Sequence, residues 1–337
     1  MLHCTAMVLK VDYKAAVKKL KALSLSGKVD LETFRAKIEQ AFSSDTIPAK
    51  VEFSQKEYGG IKCDILSPEI YASNRLLLYI HGGSFVAGSR ESWRPFCAQL
   101  ASASSCRVIV PEFRLPPSYP FPAGIDDIQA VFRLLLAELE IMLQMESQEF
   151  KRRPEIVIAA DGSGAGMATA LVLRLTEKEM ESLHTLALIS PWLDISDGAE
   201  ILTNRRLKDE ILSSESIRTA ADLYTYESNL GNIYVSPLLA GAERFRTFPP
   251  VFIQCGQKEI LLEQSERLKQ ILDSAGVRCE LDVWPDMMHY FQFADEYLSE
   301  SHLAIERLGK FISRREEEKE ERAERQRILR LNNIAAE

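Results

Sequence analysis

Two short stretches of this 337-residue chain have the residue types that acyl-transfer chemistry needs. His81-Gly82-Gly83-Ser84-Phe85 follows the apolar run 75–80. Adjacent glycines after a strand let backbone N–H groups turn toward a bound oxygen, the layout of an oxyanion hole. An ordinary glycine turn fits the same five residues. Farther on, Ala160-Asp161-Gly162-Ser163-Gly164-Ala165-Gly166 follows the run 155–160. A sharp strand-to-helix elbow needs small residues two before and two after its nucleophile, because side chains there collide with the strained backbone. With the nucleophile at 162 those residues are Ala160 and Gly164, both small. At Ser163 they are Asp161 and Ala165, and the aspartate fits poorly. At 164 they are Gly162 and Gly166, but the nucleophile is again glycine. The steric criterion and the chemistry therefore disagree, since Ser163 is the one hydroxyl in the turn.

The runs that precede these turns read as strands. Residues 75–80 (RLLLYI) are continuously apolar, as a central strand is, and similar runs recur at 106–110, 155–160, 186–189 and 251–254. Helical patterns such as 125–143 and 167–177 lie between them. Residues 51–66 alternate and turn at Gly59-Gly60, which reads as a strand pair. Strands alternating with helices predict a mostly parallel central sheet with helices on both faces. Residues 11–25 and 30–43 read as amphipathic helices, with Asp30 as an N-cap and Leu31, Phe34, Ile38 and Phe42 on one face. Near 196–239 the alternation lapses into a polar, helix-rich insertion. The boundaries that follow are a helical cap segment at 1–50, a main domain at 51–313 carrying a cap insertion at about 196–239, and a charged helical tail at 314–337. In that tail Glu318/Arg322 and Glu321/Arg325 sit at i,i+4 spacing, and a solvated helix is the simplest reading.

Further motifs stand in order along the chain: Pro111 to Ala123 (PEFRLPPSYPFPA), Ser190-Pro191-Trp192-Leu193-Asp194, and Trp284-Pro285-Asp286-Met287-Met288-His289. With the two turns, they make residues 50–313 resemble the hormone-sensitive-lipase-like esterases of the α/β-hydrolase fold. The resemblance implies an α/β-hydrolase with a helical cap, acting on carboxylic esters through an acyl-enzyme. It makes His289 the general base and Glu259 the acid that orients it, with Glu263 as the alternative acid. It assigns Gly82, Gly83 and Ser163 as oxyanion donors, and puts His81, Ser84 and Phe85 on the substrate side, with His81 bracing the loop. It also favours the register that leaves Gly162 at the nucleophile position, so that a serine introduced there would complete the machine. The chain departs from the family pattern at Glu112, Phe113 and Asp286. Three readings stay open: a natural pseudoenzyme or ligand receptor, an engineered inactive variant, and an active esterase whose turn shifts to present Ser163.

Composition narrows the rest. A net charge of −8 with scattered basic residues gives no footprint for nucleic acid. No apolar run reaches membrane-spanning length, and no signal peptide is apparent at the N-terminus. Six cysteines without a C-x-x-C pair predict reduced thiols, hence a cytoplasmic protein, and no metal or organic cofactor is expected. The expected partner is a small-molecule ester or acyl ligand. Association into a homo-oligomer is left open.

Overall fold

Strand β3 (Arg75–Ile80) is buried at every position, which only a strand covered on both faces allows. It lies inside an eight-stranded sheet. The structure is a computed structural model and describes residues 12–44, 47–145, 153–196, 199 and 209–314. The other strands are β1 (Val51–Tyr58), β2 (Ile61–Pro68), β4 (Arg107–Pro111), β5 (Glu155–Asp161), β6 (Leu183–Ile189), β7 (Val251–Gly256) and β8 (Cys279–Trp284). Their order is β1-β2-β4-β3-β5-β6-β7-β8. β1 pairs with β2, and β2 with β4, antiparallel; the remaining pairs are parallel.

That order creates the place for a site. The chain leaves β3 toward β4 on one side and returns to β5 on the other, so the C-terminal ends of β3 and β5 flank a topological switch point, where open α/β sheets bind ligands. Ile80 is paired with Ala160. The register therefore sets the His81-Gly82 turn beside Asp161-Gly162.

The described α-helices are α1 (Tyr13–Leu20), α2 (Leu31–Phe42), α3 (Arg90–Ser104), α4 (Ala123–Met145), α5 (Gly162–Arg174), α6 (Glu177–Glu181), α7 (Ser214–Tyr224), α8 (Leu262–Ser274) and α9 (Ser299–Ser313), with short 3-10 turns between some of them. The expected strands appear with ends shifted by a few residues. α3 was not marked by the sequence pattern, since Pro95 interrupts it. The helix expected at 167–177 begins at Gly162 instead, directly at the elbow. The charged helical tail expected at 314–337 falls outside the described residues beyond Arg314, as does 200–208 of the insertion.

The N-terminal helices pack on the loop that leaves β3. Asp30 caps α2 by accepting from the Thr33 N–H at 2.9 Å. Its apolar face buries Phe34, Ile38 and Phe42, each contributing about 1.5–3 kcal/mol, and Phe42 stacks on Trp93 at 5.7 Å. From the same helix, Arg35 Nε donates to Val86 O at 2.9 Å and Nη2 to Pro116 O at 2.8 Å. We expect Arg35→Ala to cost about 1–2 kcal/mol in urea unfolding and to speed proteolytic cleavage around α2. Unchanged cleavage would show that the apolar face alone holds the helix.

Candidate active site

Strand β5 delivers Asp161 to the end of the sheet fully buried, and the chain then turns into α5 through Gly162 at φ +46°. Left-handed backbone at that point is the mark of a nucleophile elbow. A β-carbon on Gly164 would lie under 3.0 Å from the carbonyl oxygens of Ile80 and His81, so only glycine lets α5 pass this close to the end of β3. The left-handed residue of the turn is therefore 162, with Ala160 and Gly164 two residues to either side.

Ser163 stands one residue inside the helix and is 2% exposed. Its Oγ accepts the Phe85 N–H at 2.8 Å. The turn is not shifted toward Ser163 in this conformation. The left-handed residue is 162, and the serine oxygen faces the β3 loop.

Glu259 and His289 are brought together from the ends of β7 and β8. Both are buried, with His289 Nδ1 3.3 Å from Glu259 Oε2. The other carboxylate oxygen accepts the Ser190 hydroxyl at 2.7 Å and the Gly256 N–H at 2.6 Å. Burial raises the Glu259 pKa, and these partners with His289 pull it back down. A carboxylate on Nδ1–H fixes the imidazole ring and leaves Nε2 as the basic nitrogen. Glu263 stays in the first turn of α8, and Glu259 is the carboxylate that reaches His289.

The remaining arrangement was not anticipated. Tyr290 has φ +61° and ψ 25°, is 2% exposed, and brings its hydroxyl beside Asp161 Oδ2 at Gly82. A β-carbon added to Gly162 would lie under 3.0 Å from Tyr290 Oη and 2.9 Å from Cζ; one added to Gly82 would also lie under 3.0 Å from Oη. The phenol oxygen thus fills the space that a side chain at 162 would need. The earlier expectation that serine at 162 would complete the machine meets this obstacle.

Asp161 is the hub of the cluster. Its Oδ1 accepts from Tyr79 Oη at 2.6 Å and Trp93 Nε1 at 2.9 Å, and its Oδ2 from the Gly82 N–H at 3.0 Å. Burial pushes its pKa up to about 6 against the pull of these donors and Tyr290. Gly82, expected to donate to an oxyanion, thus donates to Asp161 instead. The N–H groups of Gly83 and Ser163 have no acceptor among the described residues.

Three residues expected on the substrate side direct their side chains at protein. His81 stacks on Phe113 at 4.3 Å, lies 5.3 Å from Trp93, and its Nδ1 is 2.8 Å from Gly82 O. Burial pushes its pKa down to about 4, so the ring is neutral. Ser84 Oγ donates to Leu23 O at 3.3 Å, and Phe85 stacks on Tyr224 at 4.1 Å. Phe113 and Tyr224 had no signal of this role in their own sequence neighbourhoods. Tyr290 had only its place directly after His289, which says nothing of where its ring lies.

Among the described residues no group of three or more His, Cys, Asp or Glu could hold a metal ion, and no helix is long and apolar enough to cross a membrane.

Residues 77–293 match a family described as having an α/β hydrolase fold. An acetyl-hydrolase of Streptomyces hygroscopicus is 30% identical over 71% of this chain and 75% of its own length. An esterase of Acinetobacter venetianus is 31% identical over 72% of this chain and 76% of its own. Among solved structures, a hormone-sensitive lipase from a metagenome library superposes with a TM-score of 0.76 at 27% identity, covering 90% of this chain and 98% of that one. An esterase of the bacterial hormone-sensitive lipase family gives 0.75 at 26% identity, covering 89% and 96%.

Proposed function

Since this chain belongs to the α/β-hydrolase family, among its hormone-sensitive-lipase-like esterases, we propose that it is a catalytically disabled member that binds an ester or acyl small molecule without forming an acyl-enzyme. The observation that carries the reading is Gly162 at the left-handed position of the elbow, where no side-chain atom can attack. Ser163 cannot substitute for it while its oxygen holds the Phe85 N–H.

The relatives' chemistry needs an oxygen nucleophile that gives its proton to histidine, bonds to the acyl carbon and expels the alcohol. Here the base and its orienting acid remain without that oxygen. Loss of one member of such a triad removes several orders of magnitude of rate, on the order of 10⁴ or more. What remains is a buried His289 that can take a proton from water, and N–H groups at Gly83 and Ser163 that can receive an oxygen of a ligand. The buried free thiols Cys63, Cys97 and Cys255 suit a reducing cytoplasm.

Hydrolysis of p-nitrophenyl acetate and butyrate tests the reading together with a fluorophosphonate probe read by intact mass. We expect no covalent adduct, and turnover near the buffer rate. Any turnover above buffer should vanish in His289→Ala, because water attack has no other positioned base. An adduct mapped to Ser163 would restore the working-esterase reading and remove this one.

A further inference from the structure

We infer that Tyr290 is the resident occupant of the vacated nucleophile site, so that the tyrosine and the glycines at 82 and 162 form a set in which each requires the others. The inference rests on the disabled-hydrolase reading and goes past it, because a missing nucleophile does not by itself require that its space be filled.

Three observations carry it. First, the Tyr290 oxygen lies where a β-carbon on either Gly82 or Gly162 would have to be, so it sits between the two turns that form the site. Second, Tyr290 holds a left-handed backbone conformation that a residue with a β-carbon rarely adopts, and such strain persists only where surrounding contacts over-determine it. Here the contacts are the approach of the hydroxyl to Asp161 at Gly82 and ring contacts with Phe293 at 5.0 Å and His289 at 4.2 Å. Third, Tyr290 directly follows His289, so the base and the occupant are carried by one turn.

The consequence is that the acyl carbonyl of an ester cannot reach the elbow while the phenol is in place. A ligand of this protein stops short of the position a substrate of the relatives would take. Restoring hydrolysis requires two changes together, Gly162→Ser for the nucleophile and Tyr290→Gly for the space, glycine being at ease at φ +61°. With both made, the serine oxygen bonds to the acyl carbon of p-nitrophenyl acetate, His289 takes its proton, and p-nitrophenolate leaves. Water then adds to the acyl-enzyme and releases acetate.

The test has a thermodynamic arm and a chemical arm. In the first, a double-mutant cycle crosses Gly162→Ala with Tyr290→Ala and reads urea unfolding. Left-handed strain at 162 is common to both backgrounds and cancels, so the cycle isolates the conflict with the ring. The folding equilibrium constant should fall at least tenfold more for Gly162→Ala beside tyrosine than beside alanine. Tyr290→Phe, which removes the oxygen alone, replaces alanine in the cycle if the latter does not fold. Equal costs in both backgrounds overturn the inference.

In the second arm, the fluorophosphonate probe and p-nitrophenyl acetate are applied to Gly162→Ser and to the double variant Gly162→Ser/Tyr290→Gly. The double variant should be labelled at position 162 and turn over ester at least 100-fold faster than the single one. A single variant as reactive as the double also overturns the inference. Labelling of the unmodified protein is a separate result, which removes the disabled-hydrolase reading instead.

Discussion

Replacing Asp161 by alanine should cost about 4 kcal/mol at pH 5, a loss few single substitutions reach. The carboxylate accepts from Tyr79, Trp93 and the Gly82 N–H and pairs with the Tyr290 hydroxyl, all four groups belonging to residues that pack around it. A buried donor left without an acceptor costs about 1–3 kcal/mol, and hydroxyls that can turn elsewhere lower the total. The cost should also depend on pH in a definite direction. Asp161 has an ordinary value of 3.8 and is pushed up to about 6 in the fold, so the folded state binds its proton more tightly than the unfolded chain does. Its contribution is fully present below pH 4 and is lost as pH rises through 6. At ~1.4 kcal/mol per unit the loss is about 2–3 kcal/mol. Urea unfolding of the protein and of Asp161→Ala from pH 4 to pH 7.5 should therefore show the gap between them narrowing by that amount. A gap that stays constant would mean the carboxylate titrates alike in both states.

His81 should produce the opposite slope over nearly the same window. Its ordinary value is 6.5, and burial between Phe113 and Trp93 pushes it down to about 4. The unfolded chain takes up a proton below 6.5 that the folded one refuses until about 4. The stability His81 supports is thus present above pH 6.5 and lost as pH falls to 4, by about 3 kcal/mol. Phenylalanine at 81 keeps a flat ring in the stack and cannot titrate. His81→Phe should remove this acid sensitivity, becoming more stable relative to the unmodified protein by about 3 kcal/mol between pH 7 and pH 4. A parallel pair of pH profiles would show that His81 titrates alike in the folded and unfolded chain. Because the Asp161 and His81 slopes oppose each other, the unmodified protein should itself vary less with pH than either variant.

The sequence made much of the scaffold legible because burial on both faces leaves continuous apolar runs, as in β3 and β5. The elbow register was legible for a different reason. Small side chains at 160 and 164 are a steric requirement, and Gly164 does pass against the Ile80 and His81 carbonyls. Glu259 and His289 were found from motif order, which says nothing of their 3.3 Å separation. The direction of a backbone N–H was not legible: Gly82 was assigned to an oxyanion and donates to Asp161, since its aim is set by how two strand ends meet. Tyr290 was missed because its place depends on the sign of one φ angle. α3 was missed because its apolar face is interrupted at Pro95.

The indole of Trp93, hydrogen-bonded to Asp161, makes that carboxylate optically visible. The chain's other tryptophans sit nearby in the same architecture, Trp192 5.2 Å from Phe85 and Trp284 5.4 Å from Phe291, the residue after Tyr290. Ultraviolet emission from the unlabelled protein therefore includes a reporter in direct contact with the buried carboxylate. A proton landing on Asp161 writes itself into the protein's own fluorescence.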